Sequence, residues 1–177
     1  EQAEAGQASA MGLFGFVQMF QYQNDEKGEQ WLRRAAEQGE TSAMSVLGKY
    51  LLEGRISDNN PEEGKRWLWK AIEAQNTMAM QFLGEYLLQQ SDPDKKIEGE
   101  VWLRKAASLG NRCAIYDLGQ RLIDGNGIHQ IPEEGVFWKR IGDRWYDWFN
   151  DKTLYHALEK KEEELTSEKQ VQPETEP

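Results

Sequence analysis

Trp31, Trp67, Trp102 and Trp138 recur at intervals of 35 or 36 residues, and this spacing constrains the fold more than any other feature. Each stands three residues after a glycine (Gly28, Gly64, Gly99, Gly135) and opens a similar run: WLRRAAEQG, WLWKAIEAQ, WLRKAASLG and the decayed WKRIGDRW. A second set of glycines keeps the same beat. Gly48, Gly84 and Gly119 follow a leucine and stand shortly after Ala43-Met44, Ala79-Met80 and Ala114-Ile115. Ala10-Met11 with Gly15 supplies a fourth copy on a shorter connection. Two helical patterns per period of about 35 residues mean stacked helix pairs, each burying its apolar face only against its neighbours.

The chain is therefore read as all-α, a right-handed α-α superhelix (solenoid) of about four antiparallel helix pairs with a C-terminal capping helix. The solenoid is placed at residues 1–150, in units of about 8–38, 41–75, 77–109 and 111–149. The capping helix is placed at 151–170, and 171–177 reads as a disordered acidic tail. Thr41 or Ser42 is expected to cap the third helix and Thr77 to open the fifth. Pro61 suits a first helical turn, where its missing N–H costs nothing. SDPDKK is read as a connection, with the following helix spanning 97–109.

A glycine inside a helix costs about 1 kcal/mol relative to alanine. Its fourfold recurrence at Gly15, Gly48, Gly84 and Gly119 points to close approach of the paired helix, with the tryptophan ring covering the missing side chain. The tryptophans are thus read as internal packing rather than a ligand-binding row, each ring burying about 150–250 Å².

The run Leu118–Ile128, of form L-G-x-x-x-x-x-G-x-G-I and followed by Trp138, resembles the SEL-one-like repeat, a relative of the tetratricopeptide repeat. WLRRAAEQG and WLRKAASLG match the end of that repeat, and the resemblance covers about residues 8 to 145. Leu51, Leu87 and Leu122 depart from it where the family usually has tyrosine. The resemblance implies an adaptor or scaffold that binds proteins or peptides on the concave side of a superhelix. Such proteins are frequent in bacteria, are often exported, and include immunity proteins that neutralise secreted effectors. A branch with paired cysteines is linked to β-lactam binding; Cys113, the only cysteine, does not supply that framework.

Chemistry is sparse. His129 and His156 lie in different elements and are read as solvated or capping. Asp124-Gly125-Asn126-Gly127-Ile128 begins like a calcium loop but has isoleucine at its fifth position and no glutamate at its twelfth, so it reads as a turn. No phosphate-cradling loop, serine elbow or zinc pattern is present. No catalytic, cofactor or metal residue is therefore assigned, and an enzyme acting on cell-wall or β-lactam compounds is the least favoured class. A net charge of −10 argues against nucleic acid and anionic membranes as partners and suits a basic protein. No apolar run approaches the ~20 residues that span a bilayer. The chain begins at Glu1, as a processed or a trimmed chain would, and a bacterial periplasmic setting is preferred to a cytoplasmic one.

Candidate contacts are residues on the first helix of each pair, counted from its glycine. They are Phe16 and Phe20 in the first unit and Ser45, Lys49 and Glu53 in the second. Gln81, Glu85 and Gln89 follow in the third, and Tyr116, Gln120 and Asp124 in the fourth. Met19, Leu52, Leu88 and Ile123 share one offset and are assigned to packing between repeats. Trp145 and Trp148, with Tyr146 and Phe149, form an aromatic cluster that either caps the stack or meets a partner. Trp69 is a smaller candidate of the same kind. The favoured function is an inhibitor or immunity protein that occludes a toxin or effector enzyme; the alternative is an adaptor in an envelope or signalling assembly.

Overall fold

The computed structural model describes residues 2–21, 25–56 and 60–143, with side chains from residue 6 onward. The expected capping helix, the acidic tail, His156 and the cluster containing Trp145 and Trp148 lie outside the described residues. Eight α-helices account for the rest: α1 (Gln2–Gln21), α2 (Asp25–Glu37), α3 (Thr41–Leu52), α4 (Pro61–Glu73), α5 (Thr77–Leu88), α6 (Pro93–Ser108), α7 (Arg112–Asp124) and α8 (Pro132–Asp143). The chain divides into two units, Glu1–Lys139 and Arg140–Pro177. The first holds the helix pairs; of the second, only the end of α8 is described.

Within the first unit α1 packs on α2, α3 on α4 and α5 on α6, and successive first helices α1, α3 and α5 lie side by side. The period fixes this solenoid through paired glycines. A Cβ on Gly48 would stand 2.9 Å from the Gly64 carbonyl oxygen, and one on Gly64 would stand 2.8 Å from that of Gly48. Gly84 and Gly99 repeat the crossing at 2.9 and 2.8 Å, while Gly15 meets Gly28 and Gly119 meets Gly135 in the same way. Two backbones thus touch with no side chain between them, which only glycine permits.

The residue over the gap is not the tryptophan expected from the sequence. It is the leucine that follows: Leu32 over Gly15, Leu68 over Gly48 and Leu103 over Gly84, with Lys139 in the fourth pair. Those leucines are fully buried, whereas all four tryptophans are half-buried. The indole N–H gives the reason. Trp67, Trp102 and Trp138 donate it to a carboxylate four residues earlier, at Glu63 (3.1 Å), Glu98 (3.4 Å) and Glu134 (3.1 Å). That bond holds the ring's edge toward the surface. Met19, Leu52 and Ile123 also meet the second glycine of their own pair, while the Leu88 side chain lies 3.7 Å from where a Cβ on Gly127 of the next repeat would stand, so this column packs within repeats as well as between them.

Helix ends follow local chemistry. Glu40, Asn60, Asn76, Asp92 and Asn111 are the N-caps of α3 to α7, each side chain accepting a backbone N–H of the first turn. Capping thus belongs to Glu40 and Asn76 rather than to Thr41, Ser42 or Thr77. The two threonine hydroxyls serve the next repeat instead, accepting from the amides of Asn76 (3.1 Å) and Asn111 (3.5 Å) respectively. Pro61 takes the first turn as expected, but α6 also starts at a proline, Pro93, four residues before the sequence reading placed it.

Candidate functional site

The first helices put one residue per turn on a shared surface. On α3, Lys49 pairs with Glu53 at 3.7 Å and its Nζ lies 4.5 Å from the Phe82 ring centre on α5. On α5 the Gln81 amide donates to Glu85 at 2.7 Å. On α7 the Gln120 amide donates to Asp124 at 2.6 Å, and Lys139 of α8 donates to Gln120 at 2.8 Å. The corresponding residues of α1 are Phe16 and Phe20, whose rings lie parallel with centres 5.6 Å apart. Phe20 is 74% exposed and Phe16 39%. The surface therefore runs from an open aromatic pair on α1 to polar side chains on α3, α5 and α7.

One expected contact is lost. Ser45 is fully buried, its hydroxyl donating to the Thr41 carbonyl at 2.8 Å, so it is out of a partner's reach. Gln81 is buried to all but 8%, yet it borders an open cleft of about 630 Å³ with Glu85, Cys113, Tyr116, Asp117 and Gln120. Four candidates from the sequence thus converge on one cavity. Burial raises the Glu85 carboxyl above its ordinary range, with the charge of Asp117 adding and the Gln81 hydrogen bond opposing. Asp117 itself pairs with Arg121 at 2.8 Å. Sequence reasoning missed Asp117 and Cys113 because it followed one residue per turn, whereas a cleft between helices also takes their flanks.

The opposite side carries a second regular feature. Arg33 of α2 bridges Glu29 (2.8 Å) and Glu63 of α4 (2.5 Å). Arg104 of α6 bridges Glu100 and, in a short contact, Glu134 of α8 in the same manner. At the seam between α4 and α6 the pattern is broken: Trp69 replaces the arginine and Lys65 replaces the adjoining acid. Trp69 instead meets Trp102 edge to face at 5.3 Å and stays 40% exposed. Ile97 and Val101, one turn apart on α6, are exposed.

Among the described residues no group of three or more histidine, cysteine, aspartate or glutamate side chains is arranged to hold a metal ion. His129 is exposed. Asp124 ends α7 and Gly125 follows it in the left-handed conformation, φ 70°, which makes the Asp124–Ile128 run the turn the sequence implies. Among the described residues no helix is long and apolar enough to cross a membrane.

A family model for the Sel1 repeat matches residues 3–40, 41–76 and 77–111. The fold is similar to that of c5321, a protective antigen present in uropathogenic Escherichia coli strains displaying an SLR fold. That likeness has a TM-score of 0.62 at 25% identity, over 79% of this chain and 31% of that one. A Sel1 repeat protein from Oxalobacter formigenes is similar at TM-score 0.52 and 29% identity, over 76% of this chain and 57% of its own. The chain therefore spans less than two thirds of either structure. No curated protein matches it.

Proposed function

Because this chain belongs to the Sel1 repeat family, we propose that it is a non-catalytic protein-binding module that acts stoichiometrically. Its contact surface is the wall of first helices, and its preferred role is to occlude a toxin or effector enzyme. The observation that carries the reading is the stacked, exposed Phe16–Phe20 pair at the end of an otherwise polar wall. Large aromatic rings left in water on a surface that elsewhere bears charged and amide side chains are the anchors an interface uses. Lys49, Glu53, Gln81, Glu85, Tyr116, Gln120 and Asp124 supply the polar remainder. A net charge of −10 favours encounter with a basic partner.

Affinity capture from native extract, with Phe16→Ala/Phe20→Ala as the control, tests this. The reading expects a protein retained by the native chain and lost with the double variant. The captured partner's own activity should then fall to zero as the chain is titrated to equivalence. A partner held equally by the double variant sinks the aromatic anchor. A partner whose activity is untouched at equivalence makes the chain an adaptor instead.

A further inference from the structure

Glu85 occupies the wall position that Lys49 and Gln120 fill on the flanking helices. It is half-buried in the cleft formed with α7, and its carboxylate accepts from a neutral amide, Gln81, rather than from a cation. The cations around it are engaged elsewhere. Arg121 holds Asp117, Lys49 holds Glu53 and lies over the Phe82 ring, Lys139 donates to Gln120, and Arg112, which lines the cleft with Lys139, also has a partner. A carboxylate drawn out of water without an ionic partner is unfavourable, and the same desolvation strengthens any cation that reaches it. Tyr116 lines the same cleft and offers an aromatic surface for an aliphatic stem or a guanidinium plane.

We propose that this cleft receives a lysine or arginine side chain of a partner polypeptide, with Glu85 as its counter-ion, Gln81 fixing that carboxylate and Tyr116 flanking the stem. The inference rests on the protein-binding reading and gives it a recognition chemistry. It places the charged determinant at the α5–α7 cleft, apart from the aromatic anchor on α1.

Three capped tripeptides test it, titrated into the isotope-labelled full chain and followed by amide chemical shifts. They are acetyl-Ala-Arg-Ala-amide, its citrulline counterpart, which is neutral and nearly isosteric, and acetyl-Ala-Glu-Ala-amide. The arginine peptide should shift the amides of Glu85, Tyr116 and Gln120 and bind about tenfold more tightly than the citrulline peptide. Glu85→Gln should remove that preference, while Glu73→Gln, which alters an exposed carboxylate on α4, should leave it intact. Equal response to arginine and citrulline overturns the proposal. So does tighter binding of the acidic peptide, which would assign the cleft to Arg112 and Lys139, or an undiminished preference in Glu85→Gln. A protein partner captured equally by the native chain and Glu85→Gln would sink the cleft while leaving the protein-binding reading standing. Arginine-peptide binding with no protein captured would do the reverse.

Discussion

Gln75 stands where the neighbouring repeats have Gly39 and Gly110. All three follow the end of a helix with positive φ, 60° at Gln75 against 89° and 82° at the glycines. All three close the same pair of bonds, which at Gln75 run from its own N–H to the Ile72 carbonyl and from the Asn76 N–H to that of Ala71. Only glutamine carries the steric penalty of that conformation. Gln75→Gly should therefore stabilise the chain by about 1 kcal/mol, read as a higher urea midpoint at unchanged slope. Gly84→Ala should do the opposite. Its new Cβ would meet the Gly99 carbonyl oxygen at 2.9 Å and the Leu103 nitrogen at 3.0 Å, both backbone, and neither can step aside. Destabilisation of about 2 kcal/mol is expected in the same assay. Glu85 sets a pH dependence. Its carboxyl pKa is raised by burial, so its contribution to stability is full below the ordinary carboxylate range and is lost as pH rises through the raised value. Glu85→Gln should raise the melting temperature at neutral pH and leave it unchanged in acid; a lower neutral value would contradict this. The glycines' role was legible in the sequence from their recurrence. That leucine rather than tryptophan covers them was also in reach, since Glu63, Glu98 and Glu134 four residues before a tryptophan mark a ring whose N–H faces a surface acid.

Among elements, the informative comparison is between seams. Two second-helix seams use an arginine bridging two acids; the one between α4 and α6 uses Trp69 against Trp102, with Lys65 in place of an acid. The two replacements are matched, because an acid beside Trp69 would have no arginine to answer it. Lys65→Glu with Trp69→Arg should rebuild the bridge, with Glu98 as the acceptor across the seam. A double-mutant cycle should show favourable coupling of about 0.5–1 kcal/mol, and zero coupling would mean the seams are not equivalent. The periodic pattern exposed the helices and their order. It misplaced caps at Glu40 and Asn76 and the start of α6, because serine, threonine and proline offer several acceptable ends and tertiary bonds choose among them. Thr41 is the clearest example: a good cap by type, it is drawn away by Asn76 from the next repeat.

For the whole molecule, stability in a stack is the sum of pairs and their seams, so an end should open before the middle. α1 leaves Leu13, Phe14, Phe16 and Phe20 exposed at 66, 47, 39 and 74%, while α3 to α6 have helices on both sides. Native-state hydrogen exchange should find its slowest amides in α3–α6 and markedly faster ones in α1; equal protection would mean that the repeats unfold as one block. The fold could be read from the sequence because packing repeats. The cleft could not, because it depends on the flanks of two helices more than thirty residues apart, which no local pattern records. The glycine crossings also bear on mechanics. Where two backbones touch there is no compressible layer of side chains, so each pair is a stiff link. Compliance must then reside in the joints. The α4–α6 joint differs from its neighbours on one side only: the Asn76–Thr41 bond pins its first helices as Asn111–Thr77 pins those of the next joint, while on the other side two rings meet through a contact that tolerates sliding. Under load this array would bend first at that joint, pivoting on Asn76.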